Sequence, residues 1–126
     1  MPYVDPEDAN NRLIDSLDEI KRRNGDGLWR ELISASPQER TVLHCWPTGT
    51  TQSAHYHPDT EEIFVIHEGF AEFDFGDGHI MNGGPGAIFY APAAQRHSVR
   101  AVGDGPLVMM CFLAPNIRDD EVDCCP

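Results

Sequence analysis

The sequence predicts an all-β domain, a barrel or sandwich of short strands, preceded by one N-terminal α-helix. Three observations carry that expectation. Apolar residues recur at three- and four-residue spacing only near the start; beyond residue 27 the texture changes to short β-like runs; and those runs are cut at regular intervals by Gly, Pro and Asp. A chain of 126 residues with 40% hydrophobic content suits one compact core.

The helix is expected over about residues 8–23. Leu13, Ile14, Leu17 and Ile20 form its apolar stripe, acids precede bases along it, and Asn24-Gly25 supplies a C-terminal stop. The strands are expected at 28–34, 41–47, 52–57, 62–67, 71–75, 79–81, 87–91, 97–102 and 107–113. Between the fifth and sixth, Gly76-Asp77-Gly78 signals a tight hairpin, because such turns need positive φ angles that Asp and Gly adopt at low cost. Gly83-Gly84-Pro85-Gly86 and Gly103-Asp104-Gly105-Pro106 mark two further breaks. The organisation read from this pattern is a helical extension over 1–27, a β-barrel over 28–115 and an acidic tail over 116–126.

Composition bears on partners. The formal charge is −12, from 21 acids against 9 bases, and residues 41–126 hold twelve acids and three bases. Such a surface repels phosphate backbones and anionic lipid, which argues against nucleic acid and membrane as partners. No apolar run approaches the length of about 18 residues that a membrane helix needs, and residues 1–5 lack the basic and apolar regions of a signal peptide, so a cytoplasmic location is expected. Cys45 and Cys111 lie in apolar runs and read as buried thiols that pack like small hydrophobes. Cys124 and Cys125 sit in the acidic tail, where a redox or soft-metal role is the less favoured reading.

The stretch from Gly49 to Gly69 carries the chemistry. His55 and His57, two residues apart, point to one face if they share a strand, so their imidazoles can converge on one ion. A turn containing Pro58 and Asp59 reverses the chain, and Glu62 then opens the next strand near that pair. Two imidazoles and a carboxylate suit a first-row divalent metal. A second stretch, Pro85 to His97, reads as turn, strand, Pro-led turn and a histidine opening another strand. Spacing alone leaves open whether His97 lies near His55.

These two stretches resemble the motifs of the cupin superfamily. The first has glycine, five residues, His, one residue, His, four residues, Glu, six residues and glycine, filled by Gly49, His55, His57, Glu62 and Gly69; the second has glycine, five residues, Pro, four residues and His, filled by Gly86, Pro92 and His97. The resemblance implies a jelly-roll-like β-barrel, a double-stranded β-helix. It also implies one divalent metal, Fe, Mn, Zn, Ni or Cu, held by His55, His57, Glu62 and His97 with positions left open for substrate or dioxygen. Ala87, Ala94 and Ala101 depart from the residues frequent in that family, and none is a ligand position. Adjacent Glu61 competes with Glu62 for the carboxylate role, but only Glu62 has the right spacing to Gly69 and the phase of Phe64 and Ile66.

Other residues read more simply. His67 and His79 stand as single strand or surface histidines, and His44, in phase with Val42 and Trp46, is read first as packed and second as a cavity group. Tyr56, Arg96 and Arg100 fall on outward phases. Apart from the ligands no catalytic acid or base stands out, and the only lysine is Lys21. That favours chemistry carried by the metal: an Fe(II)-dependent dioxygenase acting on a small polar organic molecule is the first expectation. A Zn, Mn or Ni isomerase, lyase or cyclase is the second, and a non-catalytic ligand-binding module the third. The resemblance further implies a homodimer.

Overall fold

The computed structural model describes residues 13–25 and 27–117. Among the described residues one helix, α1 (Leu17–Asn24), is followed by nine strands: β1 (Trp29–Ser36), β2 (Glu39–Trp46), β3 (Thr51–His55), β4 (Glu61–Glu68), β5 (Phe70–Asp74), β6 (Ile80–Gly83), β7 (Ile88–Ala91), β8 (His97–Val102) and β9 (Leu107–Ala114). They form two antiparallel sheets, β1-β2-β9-β4-β7 and β3-β8-β5-β6. The all-β class and the nine strand positions agree with the sequence reading.

The helix begins later than its periodicity suggests. Residues 13–16 are not helical, and the expected residues 8–12 lie outside the described chain. Ser16 is the N-cap, extended at φ −158°, with its Oγ accepting from the Asp18 amide. Leu13, on the far side of this cap, is exposed. At the other end Gly25 takes φ 84° and donates its amide to the Lys21 carbonyl, the stop that Asn24-Gly25 signals. Ile20, wholly buried, packs with Leu43, Cys45 and Val108 on the outer face of the five-stranded sheet.

The main core lies between the sheets. Trp46, Phe64, Ile66, Phe89, Leu107, Met109 and Cys111 come from the five-stranded sheet and meet Ala71, Phe73, Val99 and Ala101 from the other. Phe64 and Phe73 meet edge to face across the interface, their centroids 4.9 Å apart, the arrangement favoured by ring quadrupoles. The expected hairpin between β5 and β6 is present: Gly76, Asp77 and Gly78 all have positive φ, and Phe75 and His79 bracket the turn. Among the described residues no helix is long and apolar enough to cross a membrane.

Candidate metal centre

The inner face of the five-stranded sheet is built in rows, because residues directly opposite each other in antiparallel pairs point the same way. One row runs Arg40, Leu113, Glu62 and Ala91 across β2, β9, β4 and β7. A second runs Leu32, Val42, Cys111, Phe64 and Phe89. A third runs Arg30, His44, Met109 and Ile66. Alternation therefore sends Glu62 inward, where it is 3% exposed, while Glu61 faces out and accepts a hydrogen bond from the Tyr90 hydroxyl. The two adjacent carboxylates are thus separated by the pleat, as the spacing to Gly69 suggests.

The histidines approach Glu62 from the other sheet. His55 ends β3 opposite His97, which opens β8. The register shifts between Gln52 and His55, so one extra residue bulges β3 just before the first histidine. His57 lies beyond the strand, not on it, and is held by its carbonyl accepting from the Ala94 amide at 2.8 Å. The shared-face argument for a regular strand thus gives way to a bulge and a turn that still direct both rings inward. The ring centroids of His55 lie 5.0 Å from His57 and 4.6 Å from His97.

Two backbone contacts set the ring tautomers. His55 Nδ1 lies 2.9 Å from the Ser53 carbonyl and His97 Nδ1 lies 3.2 Å from the Gln95 carbonyl. A carbonyl can only accept, so each Nδ1 is the donor in its contact, and Nε2 is the ring nitrogen left for the site. Metal-ligating histidines are oriented in this way.

One donor atom each from His55, His57 and Glu62 lie within 4.8 Å of one another. For comparison, ligands opposite each other at about 2.1 Å from an ion are separated by roughly 4.2 Å. His97 stands outside that mutually close set, yet its Nε2 is 3.3 Å from Glu62 Oε1, and His57 Nε2 is 3.9 Å from the same oxygen. Glu62 Oε1 and His97 Nε2 are both buried and make no hydrogen bond among the described residues. A buried carboxylate oxygen and a buried imidazole nitrogen that face each other without a hydrogen bond are costly if nothing lies between them. A divalent cation accepts from both and removes that cost, so the donor set fits a metal ion.

Beside Glu62 the inner face leaves a cavity of about 260 Å³. Its walls are Leu32, Val42, Leu113 and Ile117, and its polar lining is Arg30, Arg40, His44 and Glu62. His44 is therefore a cavity group, the reading the sequence placed second. Arg30 and Arg40 escaped notice altogether, although Arg40 shares the phase of Val42, His44 and Trp46 and could have been found from it. Cys111 sits in the row beside Glu62, wholly buried; desolvation first, and the Glu62 charge second, push its thiol pKa well above the ordinary value.

The remaining candidates lie elsewhere. Tyr56 and Arg96 are exposed, and Arg100 pairs on the outside with both oxygens of Glu72. His67 is near Asp18 at 3.5 Å, beside Glu68, whose carboxylate is paired with Lys21 at 2.9 Å. His79 is exposed at the edge of a second hollow whose lining includes Phe75, Met81 and Gln95.

Comparison with known proteins agrees with this architecture. A protein of Klebsiella pneumoniae described as having a double-stranded β-helix domain superposes with a TM-score of 0.70 at 24% identity, covering 83% of this chain and 91% of that one. KdgF from a Halomonas species gives 0.65 at 26% identity over 76% of this chain and 84% of its own. An RmlC-like cupin from Desulfovibrio desulfuricans gives 0.63 at 27% identity over 86% and 98%. No curated protein matches the sequence. The family model of the cupin domain matches residues 42–113, more than half of the chain and nearly all of the barrel that carries the histidines and Glu62; the chain belongs to the cupin family.

Proposed function

We propose that this cupin binds one divalent transition-metal ion through His55, His57, Glu62 and His97, and uses it on a small organic molecule held in the adjoining cavity. The observation that carries the reading is the buried pair of Glu62 Oε1 and His97 Nε2, 3.3 Å apart without a hydrogen bond. The donor set of three imidazoles and one carboxylate accepts Fe, Mn, Ni, Cu or Zn. A bound ion would supply Lewis acidity and, for iron, a site for dioxygen. The chain's own part is to hold the ligand tautomers through the Ser53 and Gln95 carbonyls, to keep Glu62 dry, and to shape the cavity with Leu32, Val42 and Leu113.

Iron-dependent dioxygenation remains the first reading of the chemistry, because the metal then does the work that few protein groups here are placed to do. A specific observation supports a second. His44 lines the cavity and can move a proton, which suits isomerisation or elimination over Zn, Mn or Ni without oxygen. Cobalt titration tests the site: the Co(II) protein should show the visible bands of a nitrogen-rich centre and Glu62→Gln, which leaves the three imidazoles, should shift or weaken them, whereas the same spectrum in both would refute Glu62 as ligand. Turnover that persists without dioxygen would then decide for the second chemistry. A homodimer belongs to the same reading, and the outward row of Phe112, Ile63 and Tyr90, all exposed, would be its face.

A further inference from the structure

We propose that the cavity beside Glu62 is a carboxylate-binding pocket, in which Arg40 and Arg30 clamp the acid group of a small organic anion whose other end reaches the metal; the inference rests on the metal site proposed above.

The protein carries −12 overall, yet the polar lining of this cavity contributes two guanidinium groups and His44 against the single carboxylate of Glu62. Elsewhere on the molecule Lys21, Arg23 and Arg100 are each paired with a glutamate. Arg30 and Arg40 make no ion pair among the described residues. The half-buried guanidinium of Arg40, with no counter-ion among the described residues, favours an anion from outside, and its planar fork matches the two oxygens of a carboxylate.

The geometry gives the ligand its length. Arg40 and Glu62 occupy one row with Leu113 between them, so their backbones are two strand spacings apart, roughly 10 Å. Arg40 is half-buried and its Nε donates to Asn116 Oδ1 at 3.0 Å, which fixes the plane of the guanidinium. Arg30 is exposed at the mouth, opposite His44. Between them Val42, Leu113 and Ile117 offer an apolar wall. The arrangement suits a short acid: carboxylate on the arginines, hydrocarbon on the wall, and the far end beside Glu62. Inorganic phosphate shares the anion chemistry and lacks the hydrocarbon, so it should bind more weakly.

Calorimetric titration of the metal-loaded protein with acetate, succinate and benzoate, each beside its amide, and with inorganic phosphate, tests this. At least one acid should bind about tenfold or more tighter than its amide and than phosphate, and Arg40→Gln and Arg30→Gln should each weaken it about tenfold. Arg100→Gln, whose guanidinium lies on Glu72 outside the cavity, should bind as wild type. If Arg40→Gln does not fold, exposed Arg30 and the charge-keeping Arg40→Lys carry the comparison. Metal-bound protein that treats acids and amides alike, that prefers phosphate, or that binds acids unchanged in the arginine variants, overturns the proposal. Protein that takes up no metal fails the underlying reading instead, and metal content measured on every sample separates the two failures.

Discussion

Gly69 closes the first motif, and replacing it should be far more damaging than replacing the glycine that opens the second. The backbone at Gly69 takes φ +79°, and an added Cβ would lie 2.3 Å from the Pro106 carbonyl oxygen and 2.9 Å from Leu107 Cα. Both are backbone atoms at the start of β9, so neither can swing away. Gly86 has φ +88°, but a Cβ there meets nothing within 4 Å. Gly86→Ala therefore carries only the left-handed cost of about 1–2 kcal/mol, partly offset by the lower entropy of the unfolded chain. Gly69→Ala adds overpacking of about 1–3 kcal/mol, for a net loss of about 3 kcal/mol. At about 2.1 cal/mol/K of unfolding entropy per residue, that lowers Tm by roughly 11 °C, against about 4 °C or less for Gly86→Ala. Thermal unfolding of the two variants beside wild type is the assay. Melting temperatures within about 2 °C of each other would refute the close-approach argument.

Further outcomes follow from single contacts. Ala94, at φ 65° and donating to the His57 carbonyl, stands where many cupins have glycine, so Ala94→Gly should gain about 0.5–1 kcal/mol and raise Tm by a few degrees; a lower Tm would show that the turn is not strained. The hydrogen bond from Tyr90 to Glu61, then burial, then the Glu61 charge hold the Tyr90 pKa above its usual 10.0. Its folded value exceeds its unfolded one, so the stabilisation is full below about pH 10 and fades as pH rises through the folded value. An NMR titration of Tyr90 should show Glu61→Gln moving the midpoint down, and an unmoved midpoint would exclude the bond. Cys111, wholly buried with its thiol kept protonated, should resist iodoacetamide at pH 8 in the folded protein and react once it is unfolded; labelling at equal rates would contradict that burial.

Much of this was legible from local pattern, and what was not depends on long-range pairing. The nine strands stand out because Gly, Pro and Asp separate them, and Glu62 was distinguishable from Glu61 because the pleat has a period of two. The helix start was also written in the chain: Ser16 followed three residues later by Glu19 is the capping-box pattern, which the stripe through Leu13 and Ile14 masked. The bulge before His55 has no local sign, since it arises from how β3 meets β8. Arg40 and Glu62 are 22 positions apart, and only the pairing of both strands with β9 puts them in one row. The cavity, unlike the histidine motif, is a product of topology.

The most direct test of the central claim is elemental analysis of protein purified without added metal, beside His57→Ala. About one equivalent of a transition metal is expected in the wild type and a large loss in the variant, both samples being folded by circular dichroism. Equal metal in the two proteins, or none in the wild type even after loading, would contradict it.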